Sequence, residues 1–164
     1  MFTSETYGKI ELRSIPEKIL EFYEKSKGSD GEFQITVGTD SQNFSDTKIV
    51  TVVAAYREGH GGIFFYEIDR MNRINNVKQK LNTETARSLD VMMALANLLE
   101  DKDKYRSLRE NSLLSIHVDA GWSDKGKTRE LIPSLVGWIR ACGYDAKVKP
   151  DSFAASSIAD KISK

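Results

Sequence analysis

The sequence predicts an α/β fold, a mixed five-stranded sheet with helices on both faces. Two observations carry this. Between Phe33 and Ile68, three β-rich segments follow one another with only turn residues between them, which reads as an antiparallel meander. Beyond it, segments with helical periodicity alternate with apolar strands, the pattern of crossover units that add parallel strands.

Each element has its own signal. Ser14-Ile-Pro-Glu17 reads as a helix start, with Ser14 as N-cap, Pro16 in the first turn and Glu17 closing a capping box. Ile19, Leu20, Phe22 and Tyr23 give that helix an apolar stripe and Gly28 follows it, so it is expected over about residues 15–27, ahead of the core. Phe33, Ile35 and Val37 alternate as a strand; Asn43–Thr47 is a turn; Ile49–Tyr56 is the second strand. Glu58-Gly-His-Gly-Gly62 is the next turn and Ile63–Ile68 the third strand. The glycines there are no phosphate loop, because no helix start follows them. A helix is expected from about Thr83 to Leu99, capped by Asn82 or Thr83, with Leu89, Met92, Met93, Leu95, Ala96 and Leu99 buried. Asp101–Asn111 is charged and reads as a solvated connection or frayed helix. Leu113–Val118 is a strand, Lys127–Cys142 a helix ended by Gly143, and Tyr144–Val148 a short strand. Pro150-Asp-Ser152 opens a last helix, and the 164 residues form one domain.

Composition excludes several classes. Lys+Arg 24 balances Asp+Glu 24, which argues against a polybasic binder while leaving room for a local basic groove. The single Cys142 excludes an intrachain disulfide framework and is expected to pack in its helix. The N-terminal residues lack the pattern of a secretory leader, and no apolar run approaches the ~20 residues of a membrane span. The expected location is cytoplasmic.

Four acidic residues stand in settings that an alternating fold gathers at one end of a sheet: Asp40 and Asp119 at strand ends, Glu84 at a helix start, Asp160 on the last helix. Clustered carboxylates repel unless a cation neutralises them, and hard oxygen ligands suit Mg²⁺ or Mn²⁺. Two positions stay open. The central helix offers Glu84 or Asp90, with Glu84 nearer the strand ends, and the last helix offers Asp160 or Asp151, with Asp151 placed as an N-cap. Ser41 and His117 are candidates for supporting these carboxylates; His117 also reads as a packed, hydrogen-bonded side chain. Lys125, Lys127 and Arg129 cluster just after Asp119 and, with Lys149, are candidates for holding phosphates; Trp122 beside them is placed to stack on a base or to act as a packing lid.

Four segments resemble one known family. Val37-Gly-Thr-Asp40-Ser-Gln42, His117-Val-Asp119, Gly137-Trp138 and Lys149-Pro-Asp-Ser-Phe-Ala-Ala-Ser-Ser-Ile-Ala-Asp160-Lys161 are similar to the bacterial YkuK family of ribonuclease H-like proteins. The resemblance runs from Phe33 onward and is most specific over Lys149–Lys161. It implies a ribonuclease H-like fold in which Asp40, Glu84, Asp119 and Asp160 hold catalytic metal ions. The implied activity is hydrolysis of phosphodiester bonds by two cations about 3.5–4 Å apart; the substrate is RNA or an RNA-containing or structured nucleic acid, with RNA or an RNA–DNA hybrid favoured and branched DNA left open. One departure stands out: Lys149-Pro150 occupies the place where many such nucleases carry a loop histidine. With the neutral charge and short last helix, it favours a second reading, a non-catalytic module of the same fold that binds nucleic acid or protein. An actin-like ATPase, which shares the fold in two lobes, is excluded by length.

Overall fold

A computed structural model describes residues 1–164. A short hairpin comes first, β1 (Phe2–Ser4) and β2 (Gly8–Ile10), then helix α1 (Ile15–Lys25). The meander is β3 (Phe33–Asn43), β4 (Thr47–Arg57) and β5 (Gly61–Met71). Helix α2 (Val77–Glu100), the short α3 (Arg106–Asn111), strand β6 (Ser112–Gly121), helix α4 (Gly126–Ala141) and strand β7 (Asp145–Lys149) follow. The chain closes with a π-helical turn (Ala154–Ala159) running into α5 (Asp160–Ser163).

All strands join one seven-stranded sheet in the order β2-β1-β5-β4-β3-β6-β7. The meander pairs antiparallel, and β6 and β7 add parallel to β3, as expected. The five expected strands are present; the N-terminal hairpin raises the count to seven and also precedes the helix that was expected to come first. Its strands are three residues each, too short to show alternation, and it joins the sheet at the single pair Thr3↔Tyr66.

Helix boundaries differ where polar residues hide the period. Helix α2 begins at Val77 rather than near Thr83, capped by Asn76, whose side chain accepts from Gln79 N–H at 2.7 Å. Its first two turns are rich in Lys, Gln, Asn and Thr, so hydropathy marks only the later part. At α1, Ser14 makes no side-chain cap. It already sits in helical backbone (φ −96°, ψ −11°) at the end of a 3₁₀ turn, so its hydroxyl cannot reach over the first turn. Glu17 faces Lys104 and Tyr105 instead. Of the two readings of the charged stretch after α2, a helix is the one present, the short α3, and buried Tyr105 and Leu108 anchor it rather than leaving it a solvated connection. Cys142 is exposed at the end of α4, not packed in the core. No helix is long and apolar enough to cross a membrane.

The two faces of the sheet are covered unequally. Ile35, Val37, Val53, Ile116 and Val118 face α1, α2 and α4 in the larger core. On the other face Val50, Val52 and Ala54 meet Ala154 and Ala159 of the last helix. That helix lies very close to the sheet. A Cβ on Gly38 would stand 2.5 Å from Ala155 N and 2.9 Å from Ala154 C, so only glycine fits. These are backbone atoms, and no rotamer change relieves the clash.

Gly38→Ala is therefore expected to destabilise the protein by about 1–3 kcal/mol. Urea unfolding measures the loss, and hydrogen exchange should show it concentrated in residues 154–163. A variant as stable as the wild type would contradict this packing.

Candidate functional site

The parallel pairing of β3 with β6 ends at Gly38↔His117. Two residues further along each strand stand Asp40 and Asp119, whose side chains are neighbours. The two carboxylates thus meet where the strands cease to pair. β6 is irregular between His117 and Gly121 in its pairing with β7, and this places Asp119 on the bulge.

Asp40 is fully buried, at 0 % exposure. Ser163 of α5 donates its hydroxyl to Oδ2 at 2.6 Å, whereas Oδ1 has no hydrogen-bond partner. Burial raises the Asp40 pKa from 3.8 to about 6; the Ser163 bond opposes that rise, the adjacent Asp119 adds to it, and Lys80 opposes it.

Glu84 approaches from the opposite face. Helix α2 is tied to β3 on both sides of Asp40: Thr39 Oγ1 and Ser88 Oγ lie 2.7 Å apart, and Glu84 Oε1 accepts from Ser41 N–H at 3.0 Å and Ser41 Oγ at 2.7 Å. Glu84 Oε2 is buried without a partner. Burial pushes the Glu84 pKa from 4.5 to about 8, against the pull of Lys80 and Ser41. Ser41 therefore supports Glu84 rather than Asp40, because adjacent strand residues face opposite ways.

Lysines neutralise the cluster. Lys80, one helical turn before Glu84, places its ammonium 3.6 Å from Glu84 Oε1 and 3.9 Å from Asp40 Oδ1. Lys149 Nζ lies 3.1 Å from Asp119 Oδ1. Asp160 Oδ2 is held at 2.8 Å by Lys164 Nζ, and the hydrogen bond from this helix to Asp40 comes from Ser163. Asp90 and Asp151, the competing carboxylates, are both exposed.

No three His, Cys, Asp or Glu side chains converge as a ready-made metal cage. The donor set nonetheless fits a hard divalent cation. Asp40, Glu84 and Asp119 offer only oxygen, and two of those oxygens are buried with no partner.

His117 is a packed residue. Its Nδ1 accepts from Ala154 N–H at 3.1 Å, and its ring meets Phe153 edge-on at 4.9 Å. Burial lowers its pKa from 6.5 to about 4, so the neutral ring caps the helix that carries Ser163. Lys125, Lys127 and Arg129 are exposed at the start of α4 and form no ion pair. Trp122, 52 % exposed, tops a turn closed by Asp124, which accepts from Gly121 N–H at 2.8 Å.

Sequence reasoning missed Lys80 and Ser163. Lys80 had a signal, its i, i+4 spacing to Glu84. Ser163 had none, since its role depends on how closely the last helix approaches β3.

The family described as Ribonuclease H-like matches residues 14–164. The uncharacterized protein YkuK of Bacillus subtilis (strain 168) is 28% identical over 173 residues, spanning 100% of this chain and 97% of that protein. Among solved structures, the Mos1 transposase catalytic domain with Raltegravir and Mn aligns with a TM-score of 0.29 and 12% identity, over 82% of this chain and 57% of that one. The same domain with Mg aligns at 0.30 and 14% identity, over 82% and 58%.

The raised pKa of Glu84 sets a pH dependence. A folded-state pKa above the unfolded value stabilises below about 4.5, and that contribution is lost as pH rises through about 8. Asp40 acts with the same sign between about 3.8 and 6, and His117 with the opposite sign between about 4 and 6.5. Of these three groups, Glu84 is the one whose window reaches well above pH 6.5. In EDTA the melting temperature should fall by a few degrees from pH 6.5 to 8.5, and Glu84→Gln should flatten that slope. Calorimetry decides; an equal slope in the variant would refute the assignment.

Proposed function

Because the chain belongs to the ribonuclease H-like family, as a relative of YkuK, we propose that it is a metal-dependent nuclease acting on RNA or an RNA–DNA hybrid. The observation that carries this reading is the fully buried Asp40, which presents an unpartnered oxygen beside Asp119 at the end of the β3–β6 pairing. A carboxylate in that position weakens the fold unless a cation completes it.

Asp40, Glu84 and Asp119 would hold Mg²⁺ or Mn²⁺, and Asp160 would join from the rim once released from Lys164. When bound, the cation supplies an activated water and charge neutralisation at the phosphate. The chain's own groups do the rest. Ser163 orients Asp40 by holding Oδ2, leaving Oδ1 free. Ser41 does the same for Glu84, leaving Oε2 free. Lys149, Lys125, Lys127 and Arg129 orient the sugar-phosphate backbone, and Trp122 offers a stacking surface for a base. A lone, exposed Cys142 suits a reducing compartment such as the cytoplasm.

A second reading, a non-catalytic nucleic-acid binding module, is favoured by one observation: Lys80, Lys149 and Lys164 already neutralise the carboxylates. Substitution separates the two. Asp40→Asn and Asp119→Asn should each lower Mn²⁺-dependent cleavage by about a hundredfold or more while the fold is retained. Asp40→Asn should also melt no lower than wild type in EDTA, since it removes a buried charge. Asp90→Asn and Asp151→Asn should stay active. Wild-type protein that binds nucleic acid but cleaves none of RNA, DNA or hybrid in Mn²⁺ would leave the binding module standing.

The basic cluster makes a separate prediction. Replacing Lys125, Lys127 and Arg129 together by Ala should weaken binding to all sequences alike and flatten its salt dependence. The slope of log K against log salt should fall by about one unit for each phosphate that is no longer neutralised. Filter binding in Ca²⁺ at several salt concentrations measures this, and an unchanged slope would show the cluster to be only a solvated helix start.

A further inference from the structure

Lys80 belongs to no motif in the sequence, yet its ammonium lies nearer the two unpartnered carboxylates than any other cation. It stands 3.6 Å from Glu84 Oε1 and 3.9 Å from Asp40 Oδ1. Both partners are almost wholly buried, and each keeps one oxygen without a hydrogen-bond partner, Asp40 Oδ1 and Glu84 Oε2. The lysine contacts are too long for hydrogen bonds, so Lys80 supplies charge without satisfying either orphan oxygen. Its side chain keeps 35 % exposure, enough to swing toward solvent. Lys149 and Lys164, the other nearby lysines, pair with Asp119 and Asp160 instead.

We propose that Lys80 is a resident counter-ion that a divalent cation must displace, so that this one residue sets the metal affinity of the site. In the metal-free protein it offsets part of the cost of placing negative charge on two buried carboxyl groups. A hard dication at the same carboxylates provides more charge and takes up the orphan oxygens. The displaced ammonium, tethered one turn from Glu84, then stands at the mouth of the site. Two cations cannot share that position at low cost, because like charges a few ångströms apart repel strongly where water is scarce. The site is thus weakened toward metal by its own chain. This inference rests on the metal reading of Asp40, Glu84 and Asp119.

The test measures Mn²⁺ binding by calorimetric titration and by the Mn²⁺-induced rise in melting temperature, with no substrate present. Lys80→Met keeps the stem and removes the charge; Lys80→Gln accompanies it in case Met packs poorly. Lys78→Met, at an exposed position on the same helix, controls for net charge. Both Lys80 variants should melt lower than wild type in EDTA, gain more from Mn²⁺, and bind it about tenfold tighter or more. Lys78→Met should match wild type. Metal binding by the variants but not by wild type would support the proposal equally. Equal affinities in wild type and both variants would overturn it and leave the metal reading intact. A variant that stays unfolded in millimolar Mn²⁺ would also overturn it, since the dication then fails to replace the ammonium. If neither wild type nor variants respond to Mn²⁺, the metal reading itself falls and this inference with it.

Discussion

A buried carboxylate organises this molecule. Asp40 lies within the sheet, paired on its strand with Val50 and shielded from solvent, where an isolated charge costs several kcal/mol. The surrounding structure compensates from separate elements. The end of the last helix donates Ser163 to one oxygen. Helix α2 sends Lys80 toward the other. Neither contact exists unless both helices lie close to β3. Gly38 secures that approach on one face, and the Thr39–Ser88 and Ser41–Glu84 bonds secure it on the other. The compensation is incomplete, because Oδ1 stays without a hydrogen bond.

Strand parity distributes the work. Gly38 and Asp40 share the face covered by the small residues Ala154 and Ala155, while Thr39 and Ser41 face α2. A slip of one residue in the β3 register would send Asp40 toward α2 and Ser41 toward the last helix, undoing both sets of contacts. The long antiparallel pairing of β3 with β4, from Phe33↔Arg57 to Asn43↔Thr47, opposes such a slip. His117 serves the same end from β6. Its neutral ring caps the helix that carries Ser163, so a residue that looks in sequence like part of the carboxylate site supports it from beneath.

Much of this was legible in the chain because the signals were local. Alternation at Phe33, Ile35 and Val37, the turn at Glu58–Gly62 and the glycine after α4 mark elements that the structure contains. Asp40 and Asp119 were legible as acids late in their strands, although β3 runs on to Asn43 and β6 to Gly121, beyond the ends expected for them. What stayed hidden depended on distance. A three-residue hairpin has no period to detect, and the polar start of α2 masks two helical turns. Ser14 has the right side chain for a cap, but a preceding 3₁₀ turn puts its backbone in the wrong conformation. Cys142 falls at a helix end, where composition alone cannot separate the buried face from the exposed one. Ser163 matters only through a contact 123 positions away in the chain.

The neutral overall charge conceals two sets of cations with different physics. Lys80 and Lys149 sit against carboxylates at 3.1–3.9 Å, partly shielded from solvent, where salt screens weakly. Lys125, Lys127 and Arg129 stand in water without partners, where salt screens strongly. On the nucleic-acid reading proposed above, a polyanion would meet the second set as exposed, uncommitted charge. It would then compete with Asp119 for Lys149, whose ion pair is 41 % exposed on the lysine side. Such binding would need no net positive charge. The carboxylates face lysines, and the unmatched cations stand at the start of α4.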